Sequence, residues 1–120
     1  MDMNRIEIEV LKPQAALDAF SDTWRSVQAG EPMTPRLAFG SLRELFSAIT
    51  EKRLELLRYV AMHEGLNTRQ LAQQLERNYK NVYTDVADLV HLGLLEKDNR
   101  GGLTAPYDEI VIHTCIRDAA

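Results

Sequence analysis

Apolar and polar residues alternate in "RIEIEVL". Ile6, Ile8 and Val10 fall on one side, and Arg5, Glu7 and Glu9 on the other. A period of two predicts a half-buried strand. Pro13 then stands where a helix can start. Ala16, Leu17, Phe20, Trp24 and Val27 recur at three- and four-residue spacing, which predicts a helix that Gly30 stops. Two prolines and two glycines in "GEPMTPRLAFG" predict a linker. Ser41, with Glu44 three residues on, predicts a capping box ahead of "LFSAI". Thr50 is the next cap, opening "EKRLELLRYVAMHEG" with Leu54, Leu57, Val60 and Ala61 inward.

From there the pattern tightens. "GLN" reads as a turn, and Thr68 caps a short helix "RQLAQQLE" with Leu71, Ala72 and Leu75 on one stripe. Asn78 caps a longer helix that runs to about Leu92 and ends at Gly93, with Val82, Val86, Leu89 and Val90 inward. "LLEKD" and "LTAPYDEIVIHTCI" bracket "NRGG", which predicts a β-hairpin whose tip uses Gly101 and Gly102 for positive φ. Helix, short helix, tight turn, longer helix and hairpin is the order of a winged helix-turn-helix. The expected fold is thus mainly α with a small β-hairpin wing (α+β), carrying an N-terminal strand-helix appendage. The expected division is residues 1–49 for the appendage and 50–114 for the winged domain.

Composition changes this picture in one respect. The 120 residues are 45% hydrophobic, enough for a core, but the net charge is -4 and the pI about 5.3, an unusual balance for a nucleic-acid binder. Cys115 is the one cysteine, so an intrachain disulfide is impossible and a reducing, cytoplasmic setting is expected. "MDMNRIEIEV" lacks the basic and apolar segments of a signal peptide, and no apolar run has bilayer-spanning length, so no membrane association is expected. His63, His91 and His113 are scattered, with no metal-ligand spacing and no phosphate loop. No catalytic residue, metal or cofactor is expected. Cys115 reads as a small residue buried in an apolar strand.

Charge is better placed than the total suggests. Between Arg69 and Thr84 three cations, Arg69, Arg77 and Lys80, stand against one acid, Glu76. With the valines inward, the start of the longer helix presents Asn78, Lys80, Asn81, Tyr83 and Thr84, where a helix-turn-helix meets base edges. Asn can bond adenine through two hydrogen bonds, Lys can reach guanine or phosphate, and Tyr can bond phosphate or cover a thymine methyl. Tyr79 reads instead as packing at the helix start, and Asn78 as a cap that also faces the groove. Asp85 and Asp88 would repel phosphate and are expected to turn away or to sit farther along the helix. Lys97 and Arg100 flank the hairpin tip, where they can reach the DNA backbone. The candidate DNA-binding residues are therefore Arg69, Asn78, Lys80, Asn81, Tyr83, Thr84, Lys97 and Arg100. So thin a charge implies weak binding by one copy, and a homodimer would double the contacts.

"ITEKRLELLRYV", "TRQLAQQLERNYKNVYTDVADLVHLGLLEKD" and "APYDEIVI" together resemble a family of winged helix-turn-helix transcriptional regulators, many described as antitoxins of type II toxin-antitoxin pairs. The resemblance is best over residues 50–112, and "YKNVYTDV" and "PYDEIVI" are its most specific pieces. It implies sequence-specific binding of double-stranded operator DNA by the helix from Tyr79, at the protein's own promoter, and a toxin protein as partner. Members often carry a basic residue where Thr84 stands, so this chain departs from the pattern there.

Residues 1–49 hold Phe20, Trp24, Leu42, Leu45 and Phe46, more apolar surface than a small appendage buries alone. They can pack on the winged domain, form a dimer interface or dock a toxin. "RIEIEVL" can pair with "EIVIHTCI" of its own chain or with an edge in another protein. The alternative function is a protein-interaction module whose winged domain docks a protein without binding DNA, which the acidic balance favours.

Overall fold

The computed structural model describes residues 4–11, 25, 30 and 34–117. Of the helix expected over residues 14–29, including Phe20 and Trp24, all but the helical Arg25 lies outside the described residues. Gly30, expected to stop that helix, adopts φ 75°, while the four residues before it lie outside the described residues. The chain is α+β and divides into two compact units, Met1–Ser47 with Glu109–Ala120, and Ala48–Asp108.

The first unit is built on a parallel sheet. Strand β1 (Arg5–Val10) lies between β2 (Arg36–Phe39) and β5 (Glu109–His113). The alternation in β1 buries Ile6 and Ile8 and leaves Val10 half-buried. Its opposite face is zipped by charge, with Arg5 to Glu109 at 2.6 Å and Arg36 to Glu7 at 3.4 Å. The segment expected as a linker therefore contains a strand. Pro35 precedes β2, where its missing N–H costs nothing, and its carbonyl accepts from the Glu7 N–H at 3.0 Å. Helix α1 (Leu42–Ala48) follows. Ser41 Oγ accepts from the Glu44 N–H, while Glu44 reaches back one residue beyond the cap to the Gly40 N–H, at 3.0 Å.

The pairing of β5 with β1 departs from the expected division at residue 114. "EIVIH" is no part of the hairpin; it returns to the first unit after the whole of residues 48–108. Parallel neighbours need a long connection between them, and the second unit stands within that connection. Cys115 lies past the end of β5 and is exposed, so it is not the buried strand residue expected.

The second unit holds α2 (Glu51–Met62), α3 (Thr68–Leu75), α4 (Tyr79–His91) and the short pair β3 (Glu96–Lys97) and β4 (Leu103–Thr104). Thr50 caps α2 by accepting from the Arg53 N–H at 3.1 Å. Leu56, Leu57 and Val60 are buried, whereas Leu54 is half-buried and Ala61 exposed. The apolar stripe is thus centred one position away from the expected one. The cap of α3 is Asn67, not Thr68. Its Oδ1 accepts from the Gln70 N–H at 2.8 Å, and Gln70 Oε1 accepts from the Asn67 N–H at 3.0 Å. An Asn–Gln pair makes the reciprocal box, and Thr68 becomes the first helical residue, 6% exposed.

Leu71 and Ala72 of α3 and Val82, Val86 and Leu89 of α4 form the core with Leu94, Leu95 and Leu103. Val90, expected inward, is 37% exposed, because the buried row ends at Leu89 and residue 90 turns a further 100° outward. The connection before α3 runs beside β4. Leu103 donates to the Leu66 carbonyl and accepts from the Gly65 N–H, both at 2.9 Å. At the hairpin tip Asp98 Oδ1 accepts from the Arg100 and Gly102 N–H groups, each at 2.8 Å. Gly101 takes φ 86°, as expected of a tip glycine. Gly102 has a different reason to be glycine, since a Cβ there would lie 2.7 Å from Asp98 Oδ2.

Candidate functional site

The surface that the sequence singles out is the turn from α3 into α4 and the first turns of α4. The turn is set by a Schellman closure. The Arg77 N–H reaches the Ala72 carbonyl at 3.0 Å and the Glu76 N–H the Gln73 carbonyl at 3.2 Å, with Glu76 in the left-handed region at φ 55°. Asn78 then caps α4, its Oδ1 accepting from the N–H groups of Lys80 (2.9 Å) and Asn81 (3.3 Å). Its amide oxygen is therefore used by the helix, and only its amide NH2 is left to donate outward.

Arg69, Lys80, Asn81, Tyr83 and Thr84 are all exposed on α3 and α4. Thr84 Oγ1 donates back to the Lys80 carbonyl at 3.1 Å, so an outside partner finds it only as an acceptor. Tyr79, expected to pack at the helix start, is 41% exposed and joins this surface. The Arg69 guanidinium sits over its ring at 4.7 Å, and the Tyr83 ring centroid lies 6.0 Å from its own. Sequence spacing offered the signal, since residues 79 and 83 are one turn apart on one face.

The acids of α4 are paired with arginines, Asp85 half-buried and Asp88 still exposed farther along the helix. Asp85 Oδ1 accepts from Arg53 Nε at 3.0 Å and Asp85 Oδ2 from Arg77 Nη2 at 2.7 Å; Asp88 accepts from Arg53 Nη2 at 2.5 Å. Arg53 also donates to the Ala48 carbonyl at 3.0 Å. The Arg53 and Asp85 side chains are only 11% and 15% exposed, so that pair is little screened by solvent. Arg77, counted among the local cations, is spent on Asp85 and does not add to the outer charge. The exposed charges from residue 69 to 84 are then Arg69 and Lys80 against Glu76.

Lys97 and Arg100 are exposed on the hairpin. The tip abuts the start of α3, because a Cβ at Gly101 would lie 4.0 Å from the Asn67 Cβ. The same tip carries Asp98, whose carboxylate organises the loop. Among the described residues, no group of three or more His, Cys, Asp or Glu side chains could hold a metal, and no helix is long and apolar enough to cross a membrane.

A family model described as HVO_A0114 matches residues 48–112, and the chain belongs to that family. The matched span covers the second unit and most of β5. No curated protein and no solved structure matches the chain.

Proposed function

We propose that this member of the HVO_A0114 family is a sequence-specific DNA-binding transcriptional regulator, a winged helix-turn-helix that lays the start of α4 in the major groove. The observation that carries this reading is the sorting of charge along α4. Its acids are bound by Arg53 and Arg77, while Lys80 and Asn81, with Arg69 from α3, stand outward. In this reading Asn81 reads a base edge and Lys80 and Arg69 meet phosphates. Asn78 fixes the helix start, and the hairpin, with Lys97 and Arg100, acts as the wing. So few cations grip one half-site weakly, so the operator is bound by a homodimer. Control of its own promoter as an antitoxin, with a toxin docked on residues 1–49, extends the same reading through the family resemblance.

The test is a gel shift of the full chain with the duplex upstream of its own gene, titrated with salt. A specific shift is expected, and Asn81→Ala should cost about 1–3 kcal/mol of that affinity. A folded sample that shifts no duplex at low salt would overturn the reading. The net charge of -4 and the exposed Tyr79 and Tyr83 favour one rival, in which this face docks a protein. That rival would stand if the same sample left all DNA unbound.

A further inference from the structure

We infer that Tyr79 and Tyr83 form a thymine reader, in which the faces of the two rings seat C5-methyl groups in the major groove. The inference rests on the DNA-binding reading above and adds to it the base that the site selects. Residues 79, 83 and 87 follow at four-residue spacing on α4, and all three, Tyr79, Tyr83 and Ala87, are exposed. They form an apolar row beside the polar row of Lys80 and Thr84. The aromatic part is substantial, with Tyr79 41% and Tyr83 53% exposed. An apolar row on a helix that enters the major groove has few apolar groups to meet. The base edges there offer hydrogen-bond donors and acceptors throughout, and the thymine methyl is the one apolar group they display.

The geometry also restricts the spacing. The ring centroids lie 6.0 Å apart, tilted 46° to each other. Successive base pairs rise about 3.4 Å and also turn about the axis, so the rings match methyls one to two steps apart. Arg69 covers one face of the Tyr79 ring, so a methyl is met by the part of the ring that stays exposed. The Arg69 guanidinium lies 4.7 Å over the Tyr79 ring, which leaves a cation beside the apolar contact, where a phosphate can be met. Ring faces suit this role better than the hydroxyls, because a hydroxyl contact to phosphate carries no sequence information.

The experiment selects duplexes from a random pool with the full chain, then remakes the enriched duplex with deoxyuridine in place of thymidine. That exchange keeps the base pairing and removes only the methyl. Enrichment of thymines one to two steps apart is expected, with affinity falling about fourfold for each methyl removed from a ring contact. Tyr83→Ala should bind the thymine and uracil duplexes more nearly alike. Tyr83→Phe keeps the ring and should keep the preference. Equal binding of both duplexes by the unaltered chain would overturn the inference while leaving DNA binding intact. So would a Tyr83→Phe loss that is the same on both, which would assign the contact to the hydroxyl. If the pool yields no bound duplex at all, the DNA-binding reading falls, and the thymine reader with it.

Discussion

Helix α4 is entered and left by the same backbone device but differs sharply between its two halves. Before it, Glu76 takes the left-handed position of the closure; after it, Gly93 does, with the Leu94 N–H on the Leu89 carbonyl at 2.9 Å. The first turns carry exposed Lys80, Asn81 and Tyr83, with Arg69 alongside. From Asp85 onward, charge is turned to internal use through Arg53 and Arg77. One helix thus separates charge that holds it in place from charge that stands available to a partner. The formal charge of a segment therefore says little about its surface until each partner is known.

The strongest way to break this comparison is to remove Asp85. It accepts from two arginines in a largely desolvated position, and its loss removes a carboxylate partner from both guanidinium groups. Breaking such a pair costs about 3 kcal/mol, taken at the low end because the site is not fully closed to water. Asp85→Asn should lower the urea midpoint accordingly. Asp88→Asn, at a side chain 54% exposed, should cost no more than about 1 kcal/mol. Equal effects of the two substitutions would show that burial does not separate the two aspartates.

The inner face of α4 was legible in the chain, because Val82, Val86 and Leu89 repeat at helical spacing and Asn78 is a strong cap. Asp85 turns inward onto Arg53, 32 residues before it and beyond any local pattern, whereas Asp88 sits farther along the helix and stays exposed while pairing with the same arginine. Strand β2 was hidden for a different reason. Four residues between Pro35 and Gly40 carry too little alternation to signal a strand, and their pairing with β1 is set by tertiary contact. Local chemistry pointed to Thr68 as the α3 cap, because threonine caps well; the cap is one residue earlier, at Asn67, which Gln70 completes into a reciprocal box. At the candidate site, the exposed residues could be named from spacing. That Thr84 spends its hydroxyl proton on the Lys80 carbonyl could not.

A smaller effect sharpens the contrast between the two helix closures. An L-residue in the left-handed region is less stable than glycine there by about 1 kcal/mol, partly offset by the freedom glycine has when unfolded. Glu76→Gly should therefore stabilise the domain by up to about 1 kcal/mol, read as a higher urea midpoint. Gly93→Ala should destabilise it by about 1 kcal/mol, because φ 80° is strained for alanine even though a Cβ there meets nothing within 4 Å. Destabilisation by Glu76→Gly would mean that the Glu76 side chain makes a contact that matters more than its backbone strain.

The finest division lies between two cations three residues apart. Lys80 is exposed on the outer surface, whereas Arg77 is bound to Asp85 at 2.7 Å. Lys80→Ala should leave stability within about 0.5 kcal/mol, since it removes an exposed side chain away from the core. If Lys80 meets a phosphate, the same substitution should weaken binding to all duplexes alike and reduce the salt slope by about 1. Arg77→Ala should do the reverse, lowering the urea midpoint while leaving the salt slope of the folded protein unchanged, because a guanidinium held by an internal carboxylate releases no counterion from DNA. Anisotropy titrations at several salt concentrations, run beside urea melts of both variants, separate the two roles. A salt slope that falls equally in both variants would place Arg77 on the DNA as well and erase the distinction between the holding and the available charge.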